Sequence, residues 1–180
     1  MIHKGVHKGL AGVVVDTTAV SKVMPESNSL TYRGYPVQDL AAHCSFEEVA
    51  YLLWHGELPT GAELASFREQ ERAERGLSRE TLAVLTALPD ACHPMDVVRT
   101  MTSYLGAADP DEDNTAEAAN HAKALRLFAV LPTIVAADMR RRRGLAPIPP
   151  DTALGYSQNF LQMCFGEVPD PLEAPVLEAP

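Results

Sequence analysis

Twice in this chain a hydroxyl residue is followed three positions later by glutamate, and an amphipathic run starts there and closes at glycine. The first case is Ser45 with Glu48, ahead of Phe46, Val49, Ala50, Leu52 and Leu53 and the stop at Gly56. The second is Thr60 with Glu63, opening a segment to about Arg75 before Gly76. Such a pair fits a capping box: the hydroxyl accepts from a free backbone N–H, and the carboxylate reaches back to the capping residue. Glycine then supplies the left-handed stop. The same punctuation continues. Ser78 opens a helix carrying Leu82, Leu85 and Leu88 that closes at Pro89, and Pro94 to Leu105 carries Met95, Val98, Met101, Thr102 and Leu105 before Gly106. Spacings of three and four are those of one helical face.

A long helix is predicted from about Thr115 to Arg143, kinked at Pro132, and a sixth around Leu154 to Cys164. Near the start, Val13-Val14-Val15 and Leu30-Thr31-Tyr32-Arg33 are short β-prone runs and read as two small strands, a hairpin at the domain edge. Gly34 marks a turn, and Pro36 can start a short helix through Val37, Leu40 and Ala41. The fold class is therefore all-α: about six helices plus a small N-terminal β-hairpin. Residues 1–12, with their doubled His-Lys-Gly unit, read as a flexible extension. Residues 169–180 hold Pro169, Pro171, Pro175 and Pro180, which cannot sustain a helix.

Charge and cysteine usage narrow the function classes. A formal net charge of −9 argues against a nucleic-acid binder, which needs clustered Lys and Arg. The one basic run, Arg140 to Arg143, lies in the last turn of a predicted helix, where cations oppose the negative end of the dipole. It reads as a solvated helix end in preference to a polyanion patch. Cys44, Cys92 and Cys164 are odd in number and widely spaced, so neither a disulfide framework nor a zinc site is suggested, and a reducing cytoplasm is the expected compartment. No stretch approaches the roughly 20 apolar residues of a membrane span.

Side chains that could carry chemistry give little by themselves. His3 and His7 have metal-ligand spacing only in a helix, which the flanking glycines disfavour. His43 and His55 sit at helix ends, where an imidazole commonly bonds a free carbonyl, and His121 lies in a polar first turn, read as exposed. His93 beside Cys92 is weighed as a Cys–His dyad, but adjacent side chains usually point apart, so helix-entry packing is the favoured reading. No metal site, phosphate loop or Gly-x-Ser-x-Gly elbow is present. The second helix has a charged face of Glu69, Glu71, Arg72, Glu74 and Arg75, read as mostly solvent-facing.

Several stretches together resemble the citrate synthase superfamily. They are Gly9 to Val13, Leu30 to Leu40 (LTYRGYPVQDL), Ser45 to Pro59 (SFEEVAYLLWHGELP), His93 to Thr100 with Leu105-Gly106, and more weakly Gly155 to Leu161. In order and spacing they cover residues 9 to 168, and the set is most similar to the 2-methylcitrate synthase branch. The resemblance implies that residues 13–168 form a partial large domain of this type, with 169–180 diverging from it.

The family so resembled is a mostly helical homodimer that condenses oxaloacetate with acetyl-CoA or propionyl-CoA and then releases CoA. An aspartate acts as base on the thioester's α-carbon, one histidine stabilises the enol and another serves the ketoacid carbonyl, with no metal or bound cofactor required. Those residues lie in a His-x-x-x-Asn-x-Ser-Thr-like segment, a Gly-x-x-His-Gly-Gly-Ala motif, a Gly-His-Arg motif and a later aspartate. None of these motifs occurs here, so no catalytic residue is assigned and the 180 residues are expected to be inactive alone. The resemblance also implies self-association through helices near 94–105 and 125–140, with Thr102, Leu105, Leu127, Phe128, Ile134, Val135 and Ala136 suited to close packing. Neither a nucleic acid nor a membrane is expected as a partner. Arg72 is the one candidate contact for an anionic substrate, weighed against a solvated i,i+4 partner.

Overall fold

In the computed structural model, residue 9 and residues 12–168 are described. The N-terminal His3 and His7 and the Pro-rich segment 169–180 lie outside them.

The hairpin forms, but with a different first strand. β1 (Ser21–Met24) pairs antiparallel with β2 (Ser29–Tyr32), Met24 opposite Ser29. The intervening Pro25–Ser27 makes a single 3-10 turn, and Asn28 takes the left-handed conformation at φ 48° while donating to the Pro25 carbonyl. Pro25 and Asn28 make the turn, because proline fixes φ and asparagine tolerates the left-handed region. Val13-Val14-Val15 is not a strand. It lies outside the sheet, with Val14 84 % exposed, so the nearest segment that this turn can fold back takes the place beside β2. A second reversal through Arg33 and Gly34, both at positive φ, adds β3 (Tyr35–Pro36), with Tyr32 opposite Tyr35.

Among the described residues seven helices follow, the expected six and the short one after Pro36. They are α1 (Val37–His43), α2 (Phe46–His55), α3 (Gly61–Ala73), α4 (Arg79–Ala87), α5 (Pro94–Ala107), α6 (Glu117–Arg142) and α7 (Tyr156–Phe165). Both capping boxes are formed. The Ser45 N–H donates to the Glu48 carboxylate at 2.7 Å, and the Thr60 N–H to Glu63 at 2.8 Å. Gly56 closes α2 at φ 92°. His93 caps α5, its Nδ1 accepting from the Met95 N–H at 3.1 Å, which is the helix-entry role and not a dyad.

The long α6 is the central element. Leu85, Val97, Met101, Val130, Ile134 and Ala137 form the main core between α4, α5 and α6. Leu40, Val49 and Leu52 bury α1 against α2, while Ala136, Met163 and Cys164 seat α7 on α6. Arg33 ties the sheet to this body by donating to the Leu53 carbonyl through Nε and Nη2.

Two expectations about charge are overturned. The charged face of α3 is not all solvent-facing: Glu71 is 0 % and Arg75 1 % exposed. Nor is the arginine run a solvated end. Arg141 and Arg142 clamp the buried Asp138 carboxylate at 2.8 and 2.7 Å, and Arg141 also pairs with Asp90. Their remaining donors satisfy the carbonyls of Leu88, Asp90 and Cys92, while Arg140 donates to that of Ala146. Those carbonyls belong to loops with few backbone partners of their own, and guanidinium forks supply what those loops lack.

Candidate functional site

Three features of the described residues could bear on function: a buried charge cluster, an uncovered apolar stripe on α6, and a pair of imidazoles. The charge cluster is the most enclosed. The Arg75 guanidinium donates to both Glu71 oxygens, at 2.7 and 2.6 Å, and through Nη1 to the carbonyls of Asp151 and Leu154 at 3.0 Å. The Thr133 hydroxyl of α6 donates to the Arg75 carbonyl at 2.9 Å. One residue thus joins α3, α6 and the loop before α7. Burial pushes the Glu71 carboxyl up, and the Arg75 guanidinium pulls against it. Glu47, also buried, faces Arg68 at 3.3 Å.

Arg72 lies beside this cluster and is half-buried, with its Nε buried and unpartnered among the described residues. It is therefore not the fully solvated helix charge of the alternative reading. Its charge acts on the Glu71 carboxylate, more weakly than the Arg75 fork does. No nucleophile–base pair is assembled here. All three cysteines are free, and burial pushes the thiols of Cys44 and Cys164 up, which opposes thiolate character. No group of three or more metal-ligating side chains converges among the described residues.

The second feature is a side of α6 that packs only partly against the core. Phe128, Leu131, Pro132, Val135 and Met139 follow one another at helical spacing, yet Val135 is 39 % exposed. Phe128, Leu131, Pro132 and Val135 join Phe46, Tyr156 and Phe160 around a cavity of about 410 Å³. A second, of about 320 Å³, continues past Val135 to Met95, Val98 and Met139. A helix apolar on more than one face is normally covered on more than one face. Of the residues expected to serve association, Thr102, Leu105 and Leu127 line a further cleft between α5 and α6, and Phe128 and Val135 lie on the open stripe. Ile134 and Ala136 do not: at 0 % and 1 % exposure they are spent on α5 and α7 inside the chain.

Within this stripe Pro132 has no N–H to give to the Phe128 carbonyl one turn back. The Tyr156 hydroxyl takes that acceptor. Burial, then the nearby Glu71 carboxylate, push the Tyr156 phenol far above its usual range. Tyr156 also stacks on Phe128 and Phe46, at 4.6 and 5.0 Å between ring centroids. Neither Tyr156 nor the Glu71–Arg75 pair was singled out by sequence. For Tyr156 there was a signal, since a proline inside a helix always frees a carbonyl four residues earlier; for the ion pair there was only an i,i+4 spacing shared with many exposed pairs.

The sequence that builds this helical fold matches a family model described as "Citrate synthase, C-terminal domain" over residues 9–179. The chain belongs to the citrate synthase family. It is 71 % identical over 167 residues to the citrate synthase of Mycolicibacterium smegmatis, covering 93 % of this chain and 44 % of that protein. It is 72 % identical over 165 residues to the 2-methylcitrate synthase of Mycobacterium tuberculosis, covering 92 % of this chain and 42 % of that one. Among solved structures, the citrate synthase of Pyrobaculum aerophilum superposes with a TM-score of 0.88 at 34 % identity, over 95 % of this chain and 45 % of that chain. That of Thermotoga maritima gives 0.83 at 33 % identity, over 97 % and 45 %. This synthase-family chain thus spans less than half the length of these relatives. No helix among its described residues is long and apolar enough to cross a membrane.

Proposed function

We propose that this chain contributes the first part of a citrate synthase-type catalyst, condensing oxaloacetate with acetyl-CoA or propionyl-CoA, and that residues 1–180 by themselves do not turn over. Relatives named citrate synthase and 2-methylcitrate synthase stand at 71 % and 72 % identity, so both acyl groups belong in the reading. Removing a proton from a thioester's α-carbon needs a free base and donors placed for the enol. The observation that carries the second half is the state of the buried carboxylates. Among the described residues Glu47, Glu71 and Asp138 are buried, and each is spent on arginine. None is left as a base. A thiol-release assay with oxaloacetate and either acyl-CoA is expected to match the blank, and turnover well above it would reject the reading.

Within the same proposal Arg72 contacts an anionic group of the substrate, supported by its unpartnered, buried Nε. Titration calorimetry with oxaloacetate tests this assignment: if wild type binds and Arg72→Gln binds equally well, Arg72 is not the contact.

A second reading is favoured by the open stripe on α6: the chain is an association module, pairing with itself or with a full-length synthase. Light scattering on the eluted species, alone and after mixing with a full-length relative, is expected to show dimers. A strictly monomeric chain that leaves the full-length protein unmixed would remove this reading.

A further inference from the structure

The end of α2 and the beginning of α6 meet through two imidazoles. His55, in the last turn of α2, and His121, early in α6, have ring centroids 5.7 Å apart with planes at 69°. On its other side His55 stacks on Tyr51 at 4.0 Å. The two rings border a cleft of about 530 Å³ between α2, α3 and α6, where Trp54 and Phe67 face Ala118 and Ala122.

The charged groups around this contact are already engaged. From α3, Glu63 has its carboxylate bonded to the Thr60 N–H and hydroxyl, at 2.8 and 2.7 Å. Glu74, following α3, faces Arg126 of α6 at 3.6 Å, and Arg126 reaches Asp109 at 3.2 Å. From α2 the neighbour is the Tyr51 phenol. Two imidazolium ions here would face each other with Glu63, held in its cap, as the only carboxylate acting on His55 among these groups.

We propose that His55 and His121 form an acid-sensitive catch: neutral, they pack edge to face and hold the start of α6 against α2; once both are protonated, they repel and release it. Histidine is the side chain whose ordinary range makes this a physiological event. Burial and then His121 hold the His55 imidazole below its usual value, while Glu63 opposes them. The native state therefore binds the proton less tightly than the unfolded chain. The contact's contribution is complete above about pH 6.5 and is lost as pH falls through the lower, native value. Two unit charges 5.7 Å apart in a water-like medium displace a midpoint by about half a pH unit. This catch does not depend on the catalytic reading above.

The test uses the full chain and reads each histidine separately by NMR titration of its ring protons. In His121→Gln, the His55 midpoint is expected to rise by about half a pH unit. Hydrogen exchange at residues 117–126, corrected for intrinsic rates, is expected to lose protection between about pH 7.5 and 5.5 in wild type and to lose less in His121→Gln. His121→Lys, which carries that charge at every pH, should keep the His55 midpoint near its wild-type value. His121 is exposed, so folding of both variants can be verified by circular dichroism. A His55 midpoint that does not rise in His121→Gln, or that rises as much in His121→Lys, or the same acid loss of protection in His121→Gln, would overturn the proposal.

Discussion

The Tyr156 hydroxyl donates a 2.8 Å hydrogen bond to the Phe128 carbonyl, joining α7 to α6 at the acceptor that Pro132 cannot serve. A buried carbonyl without a partner costs roughly 1–3 kcal/mol. Tyr156→Phe keeps the ring stack and removes only the donor, so urea unfolding should show a loss of about that size. Pro132→Ala gives the carbonyl an intrahelical donor, and in that background the same change should cost distinctly less. Equal costs in both backgrounds would mean that the two groups are not coupled. The phenol adds a pH dependence. Its native value lies above the unfolded one, so its contribution is complete below about pH 10 and declines as pH rises further. The alkaline arm of a stability profile should therefore be flatter in Tyr156→Phe.

The Glu71–Arg75 pair should respond differently to single and double replacement. Removing one member leaves the other charge buried, which costs about 3–5 kcal/mol. Arg75→Met is expected to be the harsher single change, since it also abandons the Asp151 and Leu154 carbonyls. The Glu71→Leu, Arg75→Met double variant should recover part of the loss. Thermal unfolding of the three variants decides it. A double variant as unstable as the sum of the singles would contradict a pair that is costly chiefly when half-broken.

The capping boxes are the most local of the interactions, and their effects should be independent. Ser45→Ala is expected to cost about 1 kcal/mol. Thr60→Ala should destabilise in the same direction, and the double variant should show nearly the sum, because Ser45 touches α3 only through Arg68, about two turns from the Thr60 cap. Bonds from Thr60 hold the Glu63 carboxyl below its usual range. Its contribution is present above about pH 4.3 and disappears as pH falls through the native value. Thr60→Ala should therefore flatten the acid arm of the stability profile, an outcome readable from denaturation midpoints at several pH values.

What was legible in sequence was what depends on neighbours along the chain. Ser45 and Glu48, Thr60 and Glu63, and Gly56 fix helix ends through contacts no more than a turn apart, and the structure places those ends where the residues put them. Val13-Val14-Val15 misled because β-propensity says nothing about which segment can reach β2, a choice made by the turn at Pro25 and Asn28. Glu71, Arg75 and the arginine run misled for a related reason. A charge at helical spacing looks the same whether it faces water or a carbonyl from 50 or more residues away, as with Arg142 and Cys92 or Arg75 and Asp151. Arg72 was legible only as a type of residue; its half-burial is a tertiary fact.

The open stripe on α6 separates folding from association at a single position. Val135 is 39 % exposed and borders both apolar cavities, yet its neighbours Ile134 and Ala136 are buried. A charge at an exposed helical site usually changes stability by no more than about 0.5 kcal/mol. The same charge in an apolar interface would be desolvated without a partner, which costs much more. Val135→Lys should therefore leave the folded monomer's own stability nearly unchanged while shifting the chain from dimer to monomer at micromolar concentration. Thr102→Lys probes the separate cleft between α5 and α6, where Leu105 and Leu127 lie. If Thr102→Lys dissociates the dimer and Val135→Lys does not, association runs through that cleft and the α6 stripe is not the contact face. If neither changes the elution volume or the scattering mass, neither face joins two copies.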